Sequence, residues 1–264
     1  ANYMAGIIYR TQKDYINALE SLGWAARDVK FRSVSYAQMA EIYVALGNSE
    51  RAASYARKAL DFNTYNLNAR KVLLLLAREE KDAEKFQNAQ EELLNIDPLD
   101  HFAVVESDFL DSNGVLKGNL KDNFQNEFPE ESILDLALYY YGLGHAKESI
   151  ELLSNAGNSP KAEVWLAYLL KDSDSPKSDK LLKQVLMGPT DFIFPYRREA
   201  IPVLEWAESR MPNWKFKYFL AQNYIAVGLL DKGEELLKSC GDSPDSDVFY
   251  RFRAKTLKSS SYGD

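Results

Sequence analysis

The sequence predicts an all-α protein in which helical hairpins stack into an α-α superhelix. The first observation is the spacing of apolar residues, which follows the helical period and never alternates along a segment as in a β-strand. The second is an internal repeat, because the first part of the chain matches itself when it is shifted by 34 residues. The matched pairs are Gly6 and Ala40, Tyr9 and Tyr43, Ala18 and Ala52, and Ala25 and Ala59. A period of this length is typical of arrays in which each repeat is one pair of antiparallel helices.

The repeated positions have a mechanical role, which the second copy illustrates. Ala40 and Ala52 are small where the two helices of the hairpin cross, so that their backbones can approach closely, and Tyr43 fills the space beside them. Gly47 and Asn48 tolerate positive φ and close the hairpin without strain. The sequence around them therefore predicts one helical hairpin.

This pattern resembles the tetratricopeptide repeat. That repeat opens with a bulky residue, two spacers, Leu-Gly, two spacers and Tyr, and the second copy here reads Tyr36-x2-Met39-Ala40-x2-Tyr43. A third copy ends at Pro98, where the repeat places a helix-stopping proline. We expect three such hairpins in residues 1–98, as the start of a tetratricopeptide solenoid.

The rest of the chain is predicted to continue the array with interruptions. Residues 99–130 are predicted to form an irregular helical insertion, and residues 187–212 interrupt the pattern again. Residues 131–258 should hold further hairpins and a capping helix that covers the terminal apolar surface. The tail, residues 259–264, is expected to fray. The pattern recurs at Leu136-Ala137-x2-Tyr140 and at Leu220-Ala221-x2-Tyr224.

The composition argues against several classes of partner and site. The formal net charge is -7, whereas nucleic-acid and anionic-membrane surfaces require clustered Lys and Arg. One cysteine and two histidines leave no disulfide and too few soft ligands for a structural zinc site. The longest apolar runs are far shorter than the roughly 20 residues that span a bilayer. We therefore expect no nucleic-acid partner, no membrane span, no structural metal, no cofactor and a cytoplasmic location.

No catalytic site is predicted. His145 stands beside a predicted turn and His101 follows "DPLD", so a turn or helix-start role explains both better than a nucleophile–base pair. Adjacent acids such as Glu130 and Glu131 point apart on a helix, whereas a glycosidase holds two carboxyl groups on opposite sides of one sugar bond. We expect that the protein is not an enzyme.

The aromatic segment "LYYYGLG" could be a stacking platform for sugar rings or bases. The repeat pattern places Tyr140 in the interior of its hairpin. Only Tyr139 and Tyr141 are then candidates for exposure, and packing within the repeat is the favoured interpretation.

Several phrases of the sequence extend the resemblance beyond the repeat itself. They are "RSVSYAQMAEIYVALGN", "YNLNA", "DPLDHF", "IPVLEWAE" and "NWKFKYFLAQNYIAVG". In these the chain resembles the C-terminal region of a family of bacterial multidomain proteins in which a β-sandwich similar to galactose mutarotase precedes tetratricopeptide repeats. The resemblance implies a β-sandwich partner domain and, by analogy with that domain, a connection with carbohydrates.

The repeat register predicts a partner-binding surface. Arg10, Val44 and Arg78 occupy equivalent positions on successive first helices, and Glu41 and Lys71 should face the same groove. The tetratricopeptide clamp for a C-terminal carboxylate requires Lys and Asn on the first helix, where this chain has Tyr3 and Ile7. The groove is therefore expected to suit a partner segment with some acidic character, although solvation of these side chains is an equal alternative.

Two functions fit these observations. The favoured one is a non-catalytic scaffold that binds a protein or peptide, or the N-terminal domain of the same full-length protein. The alternative is an accessory helical domain of a carbohydrate-active multidomain protein, which packs against the β-sandwich and shapes its site.

Overall fold

The computed structural model describes residues 1–112, 115–116, 120, 124, 128–190, 193 and 195–244, without the side chains of 111 and 112. All regular structure in these residues is helical, which confirms the all-α class. The chain divides into two compact units, Ala1–Asn155 and Ala156–Asp264.

The first unit contains nine helices within its described residues. They are α1 (Asn2–Thr11), α2 (Tyr15–Ala25), α3 (Val29–Ala45), α4 (Ser49–Phe62), α5 (Leu67–Glu80), α6 (Ala83–Leu94), α7 (His101–Ser112), α8 (Pro129–Gly142) and α9 (Ala146–Ser154). Helices α1 and α2, α3 and α4, α5 and α6, and α8 and α9 form hairpins, while α7 packs against α5.

The first three hairpins close with the same turn chemistry. Each turn has one residue with positive φ, at 59° for Lys13, 68° for Gly47 and 56° for Lys81. The next residue is Asp14, Asn48 or Asp82, whose side chain accepts a hydrogen bond from the backbone N–H three positions later. This side chain satisfies one of the free N–H groups at the start of the second helix. The predicted turn at Gly47 and Asn48 is confirmed.

Small residues allow close helix crossings in the hairpins. Ala40 and Ala52 are fully buried, as the repeat pattern predicts. A Cβ atom at Gly6 would lie 2.6 Å from Leu22 Cγ. Because real Cβ atoms do not approach a neighbour so closely, a larger residue at this position would push α1 away from α2.

The second unit repeats this construction. Its helices are α10 (Pro160–Leu170), α11 (Ser175–Met187), a 3-10 turn (Arg198–Ala200), α12 (Ile201–Arg210), α13 (Trp214–Ala226) and α14 (Leu230–Ser239). A Cβ atom at Gly233 of α14 would lie 2.5 Å from Ile225 Cγ1 and 3.0 Å from the Ala221 carbonyl oxygen of α13. Cys240, which follows α14, is a buried free thiol.

Two features of this unit concern helix ends. Pro202 occupies the first turn of α12, where its missing N–H costs nothing. The ammonium group of the buried Lys215 donates hydrogen bonds to the carbonyl oxygens of Leu186, at 2.7 Å, and Gly188 at the end of α11. The predicted capping helix after Pro244 and the tail at 259–264 lie outside the described residues.

Candidate functional site

The candidate site lies in the first unit, on the side of α1, α3, α5 and α7 that meets the α8–α9 hairpin. We call this side the inner face. Its charged residues are Arg10 of α1, Glu41 of α3, Lys71 and Arg78 of α5, and Glu106 of α7. Four of these five residues belong to the set that the sequence predicts for partner binding. The fifth predicted residue, Val44, is buried one turn after Glu41 on α3.

The first polar network joins α1, α3 and α8. The Arg10 guanidinium pairs with Glu41 and also donates to Gln38. Glu41 is only 1% exposed, and its second carboxylate oxygen accepts the hydroxyl hydrogen of Tyr139 at 3.2 Å. A buried carboxylate is stable only when it is paired and hydrogen-bonded, and both conditions are met here.

A second network of the same kind joins α5, α7 and α8. Arg78 Nε donates to Glu106 Oε2 at 2.7 Å, and the Tyr140 hydroxyl donates to Glu106 Oε1 at 2.5 Å. Arg78 also donates through Nη2 to Glu148 of α9 at 3.0 Å. His145 Nδ1 lies 3.3 Å from the same Glu148 carboxylate, and His145 Nε2 lies 3.6 Å from Glu79.

The two networks follow one plan. In each, an arginine and a glutamate from two neighbouring helices of the inner face form an ion pair, and a tyrosine of α8 completes the hydrogen bonding of the glutamate. Because Tyr139 and Tyr140 are consecutive, their side chains leave α8 in different directions and reach different carboxylates. Two adjacent tyrosines of α8 therefore bind the buried glutamates of the inner face within the same chain.

Burial and charge shift the pKa values of these groups. Burial raises the pKa of Glu106, although the charge and hydrogen bond of Arg78 oppose the shift. Burial raises the pKa of Tyr139 and Tyr140 well above the ordinary value, and the facing glutamates add to the effect. Burial alone would also raise the pKa of Glu148, but hydrogen bonds from His145 and the backbone, together with the charges of His145 and Arg78, lower it to about 2.

No family model matches this chain, and no curated protein matches it. Solved structures of helical-repeat proteins do resemble it. The yeast Tom70 structure has 17% sequence identity and a TM-score of 0.44, over 94% of this chain and 60% of that chain. The tetratricopeptide domain of P58(IPK) has 14% identity and a TM-score of 0.37, over 97% of this chain and 64% of that one. This chain thus spans less than two thirds of either protein.

A third solved structure is of similar size to this chain. It is a tetratricopeptide repeat protein from Parabacteroides merdae with 14% identity and a TM-score of 0.38, over 97% of both chains. The described helical hairpins have left-handed turns and small residues at their crossings, as the repeat pattern of the sequence predicts. The chain has a tetratricopeptide-like fold.

In this tetratricopeptide-like unit the inner face is covered by the chain itself. Arg10, Glu41 and Arg78 all contribute to the two networks, and Lys71 Nζ pairs with Asp100 Oδ2 at 2.7 Å. The sequence pattern did not predict that the α8 tyrosines and Glu106 take part in these networks. Tyr139, which was a candidate for exposure, has its hydroxyl group buried against Glu41. Partner binding by the predicted residues stays a prediction.

Among the described residues, two cavities lie beside the α8–α9 hairpin. The basic cavity has a volume of about 580 Å³. Its lining consists of Arg78, Glu79, Lys81, Phe109, Leu110, Lys147 and Glu148. The acidic cavity has a volume of about 520 Å³, and its lining includes Lys71 together with Asp97, Asp100 and Asp135.

The two histidines show no catalytic arrangement. His145 faces the carboxylates described above, and the His101 ring lies 4.1 Å from the ring of Phe124, centroid to centroid. Burial lowers the pKa of His101. In the part of the chain that the structure describes, no group of three His, Cys, Asp or Glu side chains could hold a metal ion. None of the described helices has the length and apolar character needed to cross a bilayer.

Proposed function

We propose that this protein is a non-catalytic scaffold that binds another protein, or another domain of the same protein, through its first unit. The observation that carries the proposal is the pair of open cavities beside the α8–α9 hairpin. Each is walled by several helices of the tetratricopeptide-like array and combines charged side chains with apolar ones. Such a lining suits the side chains of a docked segment, since apolar walls supply affinity and a few charges fix orientation.

The charged side chains of the inner face form ion pairs, which supports a non-catalytic role. Covalent catalysis requires a nucleophile within hydrogen-bond reach of a base. Within the described residues, neither His101 nor His145 forms a hydrogen bond with a Ser, Thr or Cys side chain. The buried charges of the inner face are instead paired with each other and with the tyrosines of α8.

The alternative, an accessory domain of a carbohydrate-active protein, rests on the family resemblance of the sequence alone. No contact among the described residues favours it over a general protein-binding scaffold, and it stays a prediction.

The test is affinity capture followed by reconstitution. The folded chain serves as bait in an extract of its source cells, and each captured protein is purified and titrated against the chain by calorimetry. Ala40→Trp is the control bait, because a bulky side chain at this buried helix crossing should disrupt the first unit. We expect a purified partner to bind the wild-type chain and to lose affinity for the control. Equal binding to both, or no binding by any purified candidate, would contradict the proposal.

A further inference from the structure

The basic cavity has a local excess of positive charge. The protein as a whole carries a formal net charge of -7, yet three of the seven residues that line this cavity are Arg or Lys and two are Glu. The cavity opens between the end of α5, the second half of α7 and the start of α9. Leu110 of α7, which is half-buried, supplies its accessible apolar wall, whereas the neighbouring Phe109 is buried.

The ion pairs around the cavity leave its two lysines without an acidic partner. Arg78 is neutralised by Glu106 and Glu148. Glu79 lies near His145. By contrast, within the described part of the chain neither Lys81 nor Lys147 forms an ion pair, and both are exposed. Two solvated ammonium groups therefore stand at the mouth of a partly apolar cavity.

The backbone at Lys81 is a second, independent observation. Lys81 has φ 56° and ψ 32°, the left-handed conformation that favours Gly and costs other residues of the order of 1 kcal/mol. The matching turns at Gly47, Gly144 and Gly228 use glycine. The other lysine in a left-handed turn, Lys13, places its ammonium group 3.4 Å from the Tyr141 hydroxyl. A lysine at this turn position can therefore reach toward the α8–α9 hairpin.

We propose that the basic cavity is the docking site for an acidic segment of a protein partner, an inference that rests on the scaffold function proposed above. Carboxylates of the segment pair with Lys81 and Lys147, and an apolar side chain between them packs on Leu110. The formal net charge of -7 weakens the long-range attraction of the whole chain for an acidic segment. We therefore expect Lys81 and Lys147 to direct the acidic segment to this cavity. Complementary charge contributes more to specificity and association rate than to affinity.

The test uses the intact chain and a labelled hexapeptide, Leu-Glu-Phe-Glu-Leu-Glu, in fluorescence anisotropy titrations. A second peptide carries Gln in place of each Glu. The double variant Lys81→Asn, Lys147→Gln removes both ammonium groups, and Asn is chosen because it tolerates the left-handed turn. Lys30→Gln, an exposed lysine at the start of α3, is the matched control. Circular dichroism verifies that each variant retains the helical fold.

We expect the acidic peptide to bind the wild-type chain and the control alike. The double variant should bind the acidic peptide about tenfold more weakly than the wild type does. The wild type should bind the Gln peptide about tenfold more weakly than the acidic peptide, because the same ion pairs are lost. Four results would each overturn the inference. The double variant could bind the acidic peptide as tightly as the wild type does, or the wild type could bind the Gln peptide as tightly as the acidic one. Millimolar inorganic phosphate could displace the acidic peptide, or the acidic peptide could fail to bind at all.

The same variants separate this inference from the scaffold proposal. A purified partner that binds the wild-type chain and the double variant equally overturns the acidic docking site and leaves the scaffold function intact. If no purified partner binds any folded form of the chain, the scaffold function itself fails.

Discussion

Tyr140 of α8 donates its hydroxyl hydrogen to Glu106 of α7 at 2.5 Å, and both side chains are fully buried. Arg78 Nε donates to the other oxygen of the same carboxylate. Glu106 thus has one charged and one neutral partner in a region without access to solvent. Removing either partner leaves buried hydrogen-bonding capacity unused, which costs more than the same loss at the surface.

The first prediction follows from this contact. Tyr140→Phe should lower the free energy of unfolding by about 1.5–3 kcal/mol, the range for a hydrogen bond to a charged group. Tyr65→Phe, at a tyrosine that is 72% exposed, should change it by less than about 0.5 kcal/mol because water solvates that hydroxyl group. Urea unfolding followed by circular dichroism measures both. Similar losses for the two variants would show that Glu106 does not depend on Tyr140.

The second prediction concerns the crossing of α1 and α2. Gly6→Ala would bring a Cβ atom within 2.6 Å of Leu22 Cγ, so we expect a loss of about 1–3 kcal/mol from overpacking. Gly23→Ala in α2 meets no atom within 4 Å and should instead add about 0.5–1 kcal/mol through helix propensity. Opposite shifts of the thermal midpoint are expected for these two changes. Stabilisation by both would mean that the helices do not cross at Gly6.

The sequence predicted the parts of the first unit that depend on neighbouring repeats. The shift of 34 residues identified the hairpin of α3 and α4, its turn at Gly47 and its buried crossing at Ala40. It also placed Arg10 and Arg78 at equivalent positions, and in the structure each forms an ion pair with a buried glutamate. Periodicity carries this information because packing between adjacent hairpins repeats along the chain.

The sequence did not predict that α8 covers the inner face. Tyr139 and Glu41 are 98 residues apart, and no periodic pattern encodes a contact between elements that are not neighbours in the array. Glu106 was missed because it lies in residues 99–130, which were interpreted as an irregular insertion. Its only sequence signal is its place on an apolar helical stripe with Phe102 and Phe109.

The third prediction concerns acid stability. The pKa of Glu148 is about 2 in the folded state, whereas the ordinary pKa of a glutamate is 4.5. A lowered folded-state pKa contributes stability that is fully present above pH 4.5 and is lost as the pH falls toward 2, at no more than about 1.4 kcal/mol per pH unit. The difference in unfolding free energy between wild type and Glu148→Gln should therefore shrink over this window. A constant difference from pH 6 to pH 2.5 would contradict the assigned pairing with Arg78 and His145.

The fourth prediction concerns the end of α11 in the second unit. Lys215→Met removes the ammonium group that satisfies the carbonyl oxygens of Leu186 and Gly188. Loss of these hydrogen bonds in a half-buried position should cost about 1–3 kcal/mol. Lys217→Met on the same helix is the control and should have little effect. Hydrogen exchange of the last turn of α11 should accelerate in the first variant only, and unchanged exchange there would exclude this capping role.

The cover formed by α8 changes how the first unit is expected to fold. In a simple repeat array each hairpin contacts its neighbours only, so stability is a sum of local terms and folding can begin anywhere. Here Tyr139 joins Glu41 across 98 residues, and Lys13 joins Tyr141 across 128. Contacts of such long sequence separation raise the contact order and slow folding, because a large loop must close before they form. They also couple the first hairpin to the fourth. We therefore expect the first unit to unfold in one all-or-none transition, as a globular domain does, although it is built from repeats.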